Sequence, residues 1–514
     1  MVKIKAKTNS TLFDRMLSGI ERAGNKLPDP VTLFVILALS VVVISGICSA
    51  AGVSAIHPGT GEVITVTNLF SKSGLRMMWS KAVTNFSGFA PFGMVLVAVI
   101  GSGAAEKSGF LATLMQKLLA GAPPSLVTFV IIFVGINGNI AGDAAFVIMP
   151  PLAAIIYLGI GRHPFLGMFT AFASVSAGFC ANIALGMSDA LAYGFTEAAA
   201  KMIDPNYSAS PAINYYFLVV SCIALSIVGT FITEKFMAPR FASADLSKYN
   251  FDISTTKLTS DQHKGLKAAG IAFIIFIAVF IFMCVGPDPL LADPESKSLM
   301  SSKSPFMSGI IVSVALFLFI PGAVYGFASG KFKTDKDLFA AIVDAFKDVA
   351  PYILLCFFCA QFTSYFSWSN LGAVIAIKGS ELLTAMHFEG IPLLIGLVIV
   401  SCIVNIFIGS ASAKWAILAP VFVPMMMLMK FDPAVTQVAY RIGDSITNPI
   451  SPLFYYFPLI LGFARKYEKD TGMGTVIANM VPYSVAFSIV WIIQLAIWAL
   501  LDLPLGPGGG IFLS

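Results

Sequence analysis

The sequence predicts an all-α polytopic membrane protein with nine transmembrane helices plus two opposed re-entrant hairpins in inverted repeats. Three observations lead there. First, 57% of the 514 residues are apolar and 11% are charged, against roughly 25% charged in an ordinary soluble domain. With a mean hydropathy of +0.86, most of the chain must have the bilayer as its solvent. Second, the basic residues gather in a few short segments between long apolar runs. Third, a proline-started span, an interrupted apolar stretch and an interrupted helix occur twice in the same order. The net charge of +5 is modest and sits in loops, which excludes a phosphate-binding face and with it nucleic acid as a partner.

Taken in order, residues 1–30 are basic and lack an apolar run before Val31, so they read as a cytoplasmic arm and not as a signal peptide. Segment 31–88 holds a first scaffold span, 31–51, and an outer loop. Segment 89–213 is the first repeat: a span at 89–108 opened by Ala90-Pro91, an interrupted stretch at 123–160 and a broken helix at 165–200. Segment 214–349 carries scaffold spans at 214–233, 268–286 and 306–328 with cytoplasmic loops. Segment 350–462 is the second repeat, with a span at 350–369 opened by Ala350-Pro351, an interrupted stretch at 390–429 and a broken helix at 435–462. The last span, 478–501, lies in 463–514. The offset that pairs Pro91 with Pro351 also pairs Leu111 with Leu371, and AGDAAFVIMPPLA from Ala141 aligns with ASAKWAILAPVFV from Ala411.

Charge supplies the sides. Lys and Arg concentrate before Val31 and in 235–267, 331–347 and 465–469, whereas 287–304 and 502–514 are poor in them. The positive-inside rule makes the first four cytoplasmic and the last two external. Nine crossings satisfy every assignment if 123–160 and 390–429 are hairpins that return to their own side. Charge permits the hairpins, and their polar tips, Asn137 to Asp143 and Gly409 to Ala413, favour them, because non-helical backbone survives at membrane depth only where it lines a cavity. The two repeats then enter from opposite sides, the architecture of secondary transporters.

The seven cysteines fall in or beside apolar runs and suggest no disulfide framework. Cys356 and Cys359 form a CxxC within a span with no partnering His, which reads as apolar packing. Trp368, Trp491 and Trp498 read as interface anchors, and Glu106 and Lys107 as interfacial. No metal or cofactor is expected beyond sodium or protons as coupling ions. An intramembrane enzyme would need a nucleophile with a base, paired acids or a metal-ligand cluster, and the four histidines lie in loops or at span ends. A channel suits the repeats less well than alternating access does.

Polar residues inside the broken helices are the candidate site. The first has Ser174, Ser176, Asn182, Ser188 and Asp189 in an apolar run, and the second packs Arg441, Asp444, Ser445, Thr447, Asn448, Pro449, Ser451 and Pro452 into one stretch. The prolines break the helix and free carbonyls that can coordinate a cation. Arg441 and Asp444 are costly at membrane depth. Three apart, they either form a salt bridge on one helix face or present a guanidinium fork to a substrate carboxylate with Asp444 holding it or accepting a proton. Asp189 is the lone acid of the first unit and a proton-site candidate, unless it sits at the outer end of its helix. Asp143 either caps the second arm of its hairpin or serves the coupling ion, with Asn139 beside it at the tip. Ser410 and Ser412 put hydroxyls at a helix start, and Trp415 offers an aromatic face and one donor, or else is a core residue.

With those residues in view, the chain resembles the AbgT family of p-aminobenzoyl-glutamate transporters along nearly its whole length. The carrying motifs are NFSGFAPFG at Asn85, GDAAFVIMPPLAA at Gly142, GRHP at Gly161, FSWSN at Phe366, GSASAKWAILAPVFVPM at Gly409 and YRIGDSITNPISP at Tyr440. The resemblance implies a multi-pass homodimer of the bacterial inner membrane with the ion-transporter superfamily fold and functional residues at Asp189, Ser412, Trp415, Arg441, Asp444 and Pro452. The expected substrate is a small aromatic carboxylate, p-aminobenzoyl-glutamate, held by Trp415, Ser412, Arg441, Asp444, Pro452 and Asn182. Asp189, Asp444, Asp143, Asn139, Ser410 and Asn448 are expected to serve the coupling ion. The alternative within the family is proton-driven efflux of sulfonamides and p-aminobenzoate.

Overall fold

The computed structural model describes residues 30–513 apart from 57–60, 122, 124–125, 142–143, 243–245, 247–248, 250–257 and 300–303. The basic arm and Asp143 therefore lie outside the described residues. Helix α1 (Pro30–Ala50) carries no charged residue and is followed by a two-stranded antiparallel ribbon, β1 (Ser54–Ile56) and β2 (Val63–Thr65). Helix α2 (Lys72–Ser87) starts at Ser71, whose hydroxyl accepts the Gly74 N–H at 3.1 Å, an N-cap.

The first repeat is α3 (Ala90–Lys107), a short α4 (Phe110–Ala120), a hairpin of α5 (Val127–Ile136) and α6 (Ala144–Gly159) joined by the 3₁₀ turn Asn137–Ala141, and a broken helix made of α7 (Pro164–Ala177) and α8 (Met187–Ala200). Between the repeats stand α9 (Tyr215–Ile232), α10 (Ser260–Cys284), α11 (Ile310–Ala328) and α12 (Asp335–Asp348). The second repeat runs α13 (Ala350–Trp368), short α14 (Leu371–Ala385), hairpin α15 (Gly390–Phe407) and α16 (Ala411–Leu428), and the broken pair α17 (Pro433–Thr447) and α18 (Phe457–Tyr467). Helix α19 (Met473–Leu500) closes the chain. Pro91 and Pro351 occupy the first turns of α3 and α13, where a missing N–H costs nothing.

Among the described residues nine helices are long and apolar enough to cross a membrane; seven of them overlap spans read from the sequence, and the other two are the arms of the second hairpin. Both arms of the second hairpin qualify by themselves, and neither broken helix does, because each is cut into pieces too short to span. The span expected at 268–286 starts earlier, at Ser260, where Thr259 and Gln262 form a reciprocal cap that lengthens the helix on its polar side. Trp491 is not an interface anchor: it is 1% exposed, and its indole donates to Ser221 Oγ at 2.8 Å. Lys107 is tied to Asp344 and Asp348 at 3.1 and 2.5 Å.

The broken helices form the centre. Every residue of α7 and of α17 is buried, while α10 turns Ile274, Val279 and Phe282 outward. Helix α7 packs along α5 and α6, α17 along α15, and α8 along α16, so the second hairpin touches the broken helices of both repeats. Glycine makes the α15–α17 approach achievable: a Cβ on Gly443 would stand 2.5 Å from the Val398 carbonyl oxygen. Gly409 at the second tip is as tight, 2.4 Å from the Leu453 carbonyl oxygen.

Candidate functional site

Each hairpin tip is seated on the break of its own repeat by an asparagine. In the first, the Asn139 amide donates to the Phe179 carbonyl and to the Ala181 carbonyl at 3.2 Å, inside the α7–α8 break. In the second, Asn405 near the end of α15 donates to the Asp444 carbonyl at 2.6 Å, Thr447 Oγ1 at 2.7 Å and Asn448 Oδ1 at 2.9 Å. The Asn448 amide in turn reaches the Ser176 carbonyl on α7 at 3.4 Å, linking the two breaks. The carbonyls and amides that an uninterrupted helix would pair with each other are instead available to side chains at these points.

A cavity of about 260 Å³ lies where the breaks and tips meet, near the lower end of the roughly 300–1,000 Å³ usual for small-molecule sites. Its wall includes Asn139, Ser410, Ser412, Trp415, Arg441, Asp444 and Asn448, with Phe146, Phe179, Tyr440, Phe454 and Tyr456 supplying apolar surface. Asp189, Asn182 and Pro452 are not on that wall. Asp189 is fully buried in the first turn of α8, where its Oδ2 accepts the Gly186 N–H at 2.8 Å and the Asn182 amide at 3.1 Å. It is therefore no interfacial residue at a helix's outer end.

The salt bridge between Arg441 and Asp444 does not form. Arg441 Nη1 stands 2.7 Å from Asp189 Oδ1, and Asp444 Oδ1 stands 2.5 Å from Lys414 Nζ. All four side chains are at most 3% exposed. Spacing along one helix misleads here, because both partners come from other elements: Asp189 from the first repeat and Lys414 from α16. Asp444 thus does not hold the guanidinium; Asp189 does. Lys414 also donates to Asn405 Oδ1, which fixes the ammonium between two oxygens. Two buried pairs leave the site neutral, as burial of charge demands.

Lys414 and Asn405 belong to the site although neither is a candidate on sequence grounds. Lys414 carries the stronger signal, an ammonium in an apolar helix; Asn405, a small amide in an apolar arm, carries a weaker one. Trp415 keeps less free surface than its position suggests. Its ring stacks on Tyr440 with centroids 4.4 Å apart, and its N–H is spent on Thr196 Oγ1 at 2.9 Å. Ser410 caps α16 by accepting the Ala413 N–H at 3.3 Å and lies 3.2 Å from the Ser412 hydroxyl. Among the described residues no group of three His, Cys, Asp or Glu side chains converges as a metal site would require.

Several polar atoms remain open. Arg441 Nε and Nη2, Asp444 Oδ2 and Asn139 Oδ1 are buried with no hydrogen-bond partner among the described residues. The 2.7 Å contact of Arg441 with Asp189 also fails as a directed hydrogen bond, so it is a Coulomb contact and not a bidentate clamp. Buried polar groups are rarely left unpaired, and a planar guanidinium fork beside stacked aromatics suits a carboxylate on an aromatic body.

Known proteins share this sequence and fold. A family model described as "AbgT putative transporter family" matches residues 15–513. The p-aminobenzoyl-glutamate transport protein of Escherichia coli K12 is 38% identical over 500 residues, 97% of each chain. The solved YdaH transporter of Alcanivorax borkumensis superposes with a TM-score of 0.90 at 39% identity, covering 93% of this chain and 100% of that one. MtrF of Neisseria gonorrhoeae, described with a class of antimetabolite efflux pumps, gives a TM-score of 0.90 at 39% identity over 96% of this chain and 100% of its own. With a family match over nearly its full length and the same fold as two solved transporters, the chain belongs to the AbgT transporter family.

Proposed function

We propose that the protein is a secondary active transporter of p-aminobenzoyl-glutamate, a folate breakdown product, across the bacterial inner membrane, coupled to a proton or sodium gradient by alternating access. One observation carries this reading: the buried Arg441 guanidinium with Nε and Nη2 unpartnered on a cavity wall that also holds Trp415 and Tyr440. The name of the Escherichia coli relative supports the same substrate. Arg441 takes a carboxylate, the Trp415–Tyr440 stack flanks the aniline ring, Ser412 and Asp444 meet its polar groups, and Asn182 and Pro452 act from behind the wall. Asp189, Asp444, Asn139, Ser410 and Asn448 serve the coupling ion. The charge pattern supports a cytoplasmic N-terminus and a periplasmic C-terminus, and the exposed apolar ridge of α10 is compatible with lipid or with the second subunit of a homodimer.

A second reading, proton-driven efflux of sulfonamides and p-aminobenzoate, is supported by the likeness to MtrF. Both ligand types carry a para-substituted aniline, but only the glutamyl conjugate brings two carboxylates. Counterflow of labelled p-aminobenzoyl-glutamate in proteoliposomes, with and without sodium and a pH gradient, tests the proposal, and Arg441→Lys should reduce flux of the conjugate at least tenfold more than flux of a sulfonamide. Equal losses for both ligands would remove the carboxylate fork, and absence of saturable counterflow would remove the substrate.

A further inference from the structure

We infer that Asp189 is the internal competitor for the substrate carboxylate at Arg441, and that it gives way by taking a proton. This rests on the reading of the cavity as the substrate site. The guanidinium is not waiting free: its Nη1 is paired with Asp189 Oδ1 at 2.7 Å, which leaves the Nε and Nη2 edge without a hydrogen-bond partner among the described residues. A substrate carboxylate that lies along the open Nε and Nη2 edge forms two aimed bonds and displaces the weaker partner.

Charge balance then sets the fate of the displaced acid. Asp189, Arg441, Lys414 and Asp444 are all buried and sum to zero. The one carboxylate that lies on Arg441 adds a single negative charge to this neutral set, away from water, which is strongly unfavourable; the conjugate's other carboxylate makes no contact with the set and is counted with the solvent. One proton from solution, bound at the Asp189 oxygen that Arg441 has left, restores neutrality; no bond to carbon changes. Asp189 suits this better than Asp444. Its Oδ2 keeps the Gly186 N–H and the Asn182 amide, so the neutral acid stays anchored while Oδ1 carries the proton. Asp444 Oδ1 stays against Lys414 at 2.5 Å, with the Tyr440 hydroxyl 3.5 Å away, so it already has a cation of its own that the substrate carboxylate does not take.

The groups that face Asp189 are few. From α17 comes Arg441, and from the α7–α8 break the Asn182 amide and, beside Arg441, the Cys180 thiol; the Lys414–Asp444 pair of α16 and α17 is a separate ionic contact. On α8 itself Glu197 pairs with Lys201 at 2.8 Å in the last turn. The charged residues of α3, Glu106 and Lys107, lie in that helix's last turn, with Lys107 tied to Asp344 and Asp348. The first hairpin tip presents Asn139, which does not titrate. Among the described residues, Arg441 is therefore the one cation in ionic contact with Asp189.

The test is calorimetric titration of p-aminobenzoyl-glutamate into the purified protein in sodium-free buffers of differing ionisation enthalpy, repeated from pH 6 to pH 9. The expected result is uptake of about one proton per ligand, with affinity falling about tenfold per pH unit in the alkaline range. Asp189→Asn, which keeps the cap but cannot bind the proton, should bind the conjugate at least tenfold tighter than wild type at pH 8, lose the pH dependence, and lose pH-driven uptake. A purely structural role predicts weaker binding by the variant at every pH. Should Asp189→Asn fail to fold, the wild-type proton count still decides. Binding without proton uptake, or binding whose affinity follows sodium at fixed pH, overturns the exchange and leaves the substrate reading intact. No binding of the conjugate overturns both.

Discussion

At the scale of single residues, the candidate site is built from pairs that no local pattern reveals. Arg441 and Asp444 sit one helical turn apart, yet each answers to a different element. The sequence made these charges legible as expensive in an apolar run, and Asp189 with them, but periodicity sees only neighbours on the same helix. Lys414 and Asp444 should behave as a buried unit. Lys414→Met leaves the carboxylate unpaired and is expected to cost roughly 3–5 kcal/mol, whereas Lys414→Met with Asp444→Leu should recover most of that. Denaturation of the purified variants in detergent measures it, and equal losses in single and double variants would show that the pair does not act as a unit. The aromatic stack was legible only in part, since nothing in the sequence said that Tyr440 would cover one face of Trp415.

At the scale of elements, the apolar runs located the uninterrupted spans, and proline with polar clusters located the hairpins and the broken helices. Short helices α4 and α14 went unread, although Leu111 and Leu371, aligned by the repeat, fall at their starts. Too short to span and flanked by turns, they carry no hydropathy signal of their own. The connection from α16 to α17 adds a device that only the folded chain reveals. Asp432 caps α17 by accepting the Ala434 N–H at 2.7 Å, and its own N–H bonds the Ile511 carbonyl at 2.9 Å, tying down the C-terminal segment. It lies outside the spanning helices, and burial pushes its carboxyl up from 3.8 to about 6. A folded value above the ordinary one means that the folded state holds the proton more tightly. The resulting stabilisation, on the order of 3 kcal/mol, is complete in acid below the ordinary value and is lost as pH rises through 6. The melting midpoint of wild type should therefore fall between pH 5 and pH 8 more than that of Asp432→Asn; identical slopes would remove Asp432 as the cause.

At the scale of the whole molecule, two units of the same element order meet at their broken helices, and the cavity belongs to both: α8 and the first hairpin tip from one, α16 and α17 from the other. That shared wall is what alternating access requires, since rocking one unit against the other opens a fixed site to each side in turn. The recurring order of elements was legible because proline-started spans and polar interruptions mark it even where the two units share few residues. The central claim is that this one cavity is the transport site and is reached from both sides. The direct measurement places a cysteine at Ser412, on the cavity wall, in a background lacking the seven native cysteines, and treats oriented vesicles with a membrane-impermeant thiol reagent from either side. Labelling is expected from both sides, slowed in each case by p-aminobenzoyl-glutamate. Labelling from one side only, or labelling that the ligand does not slow, would contradict it.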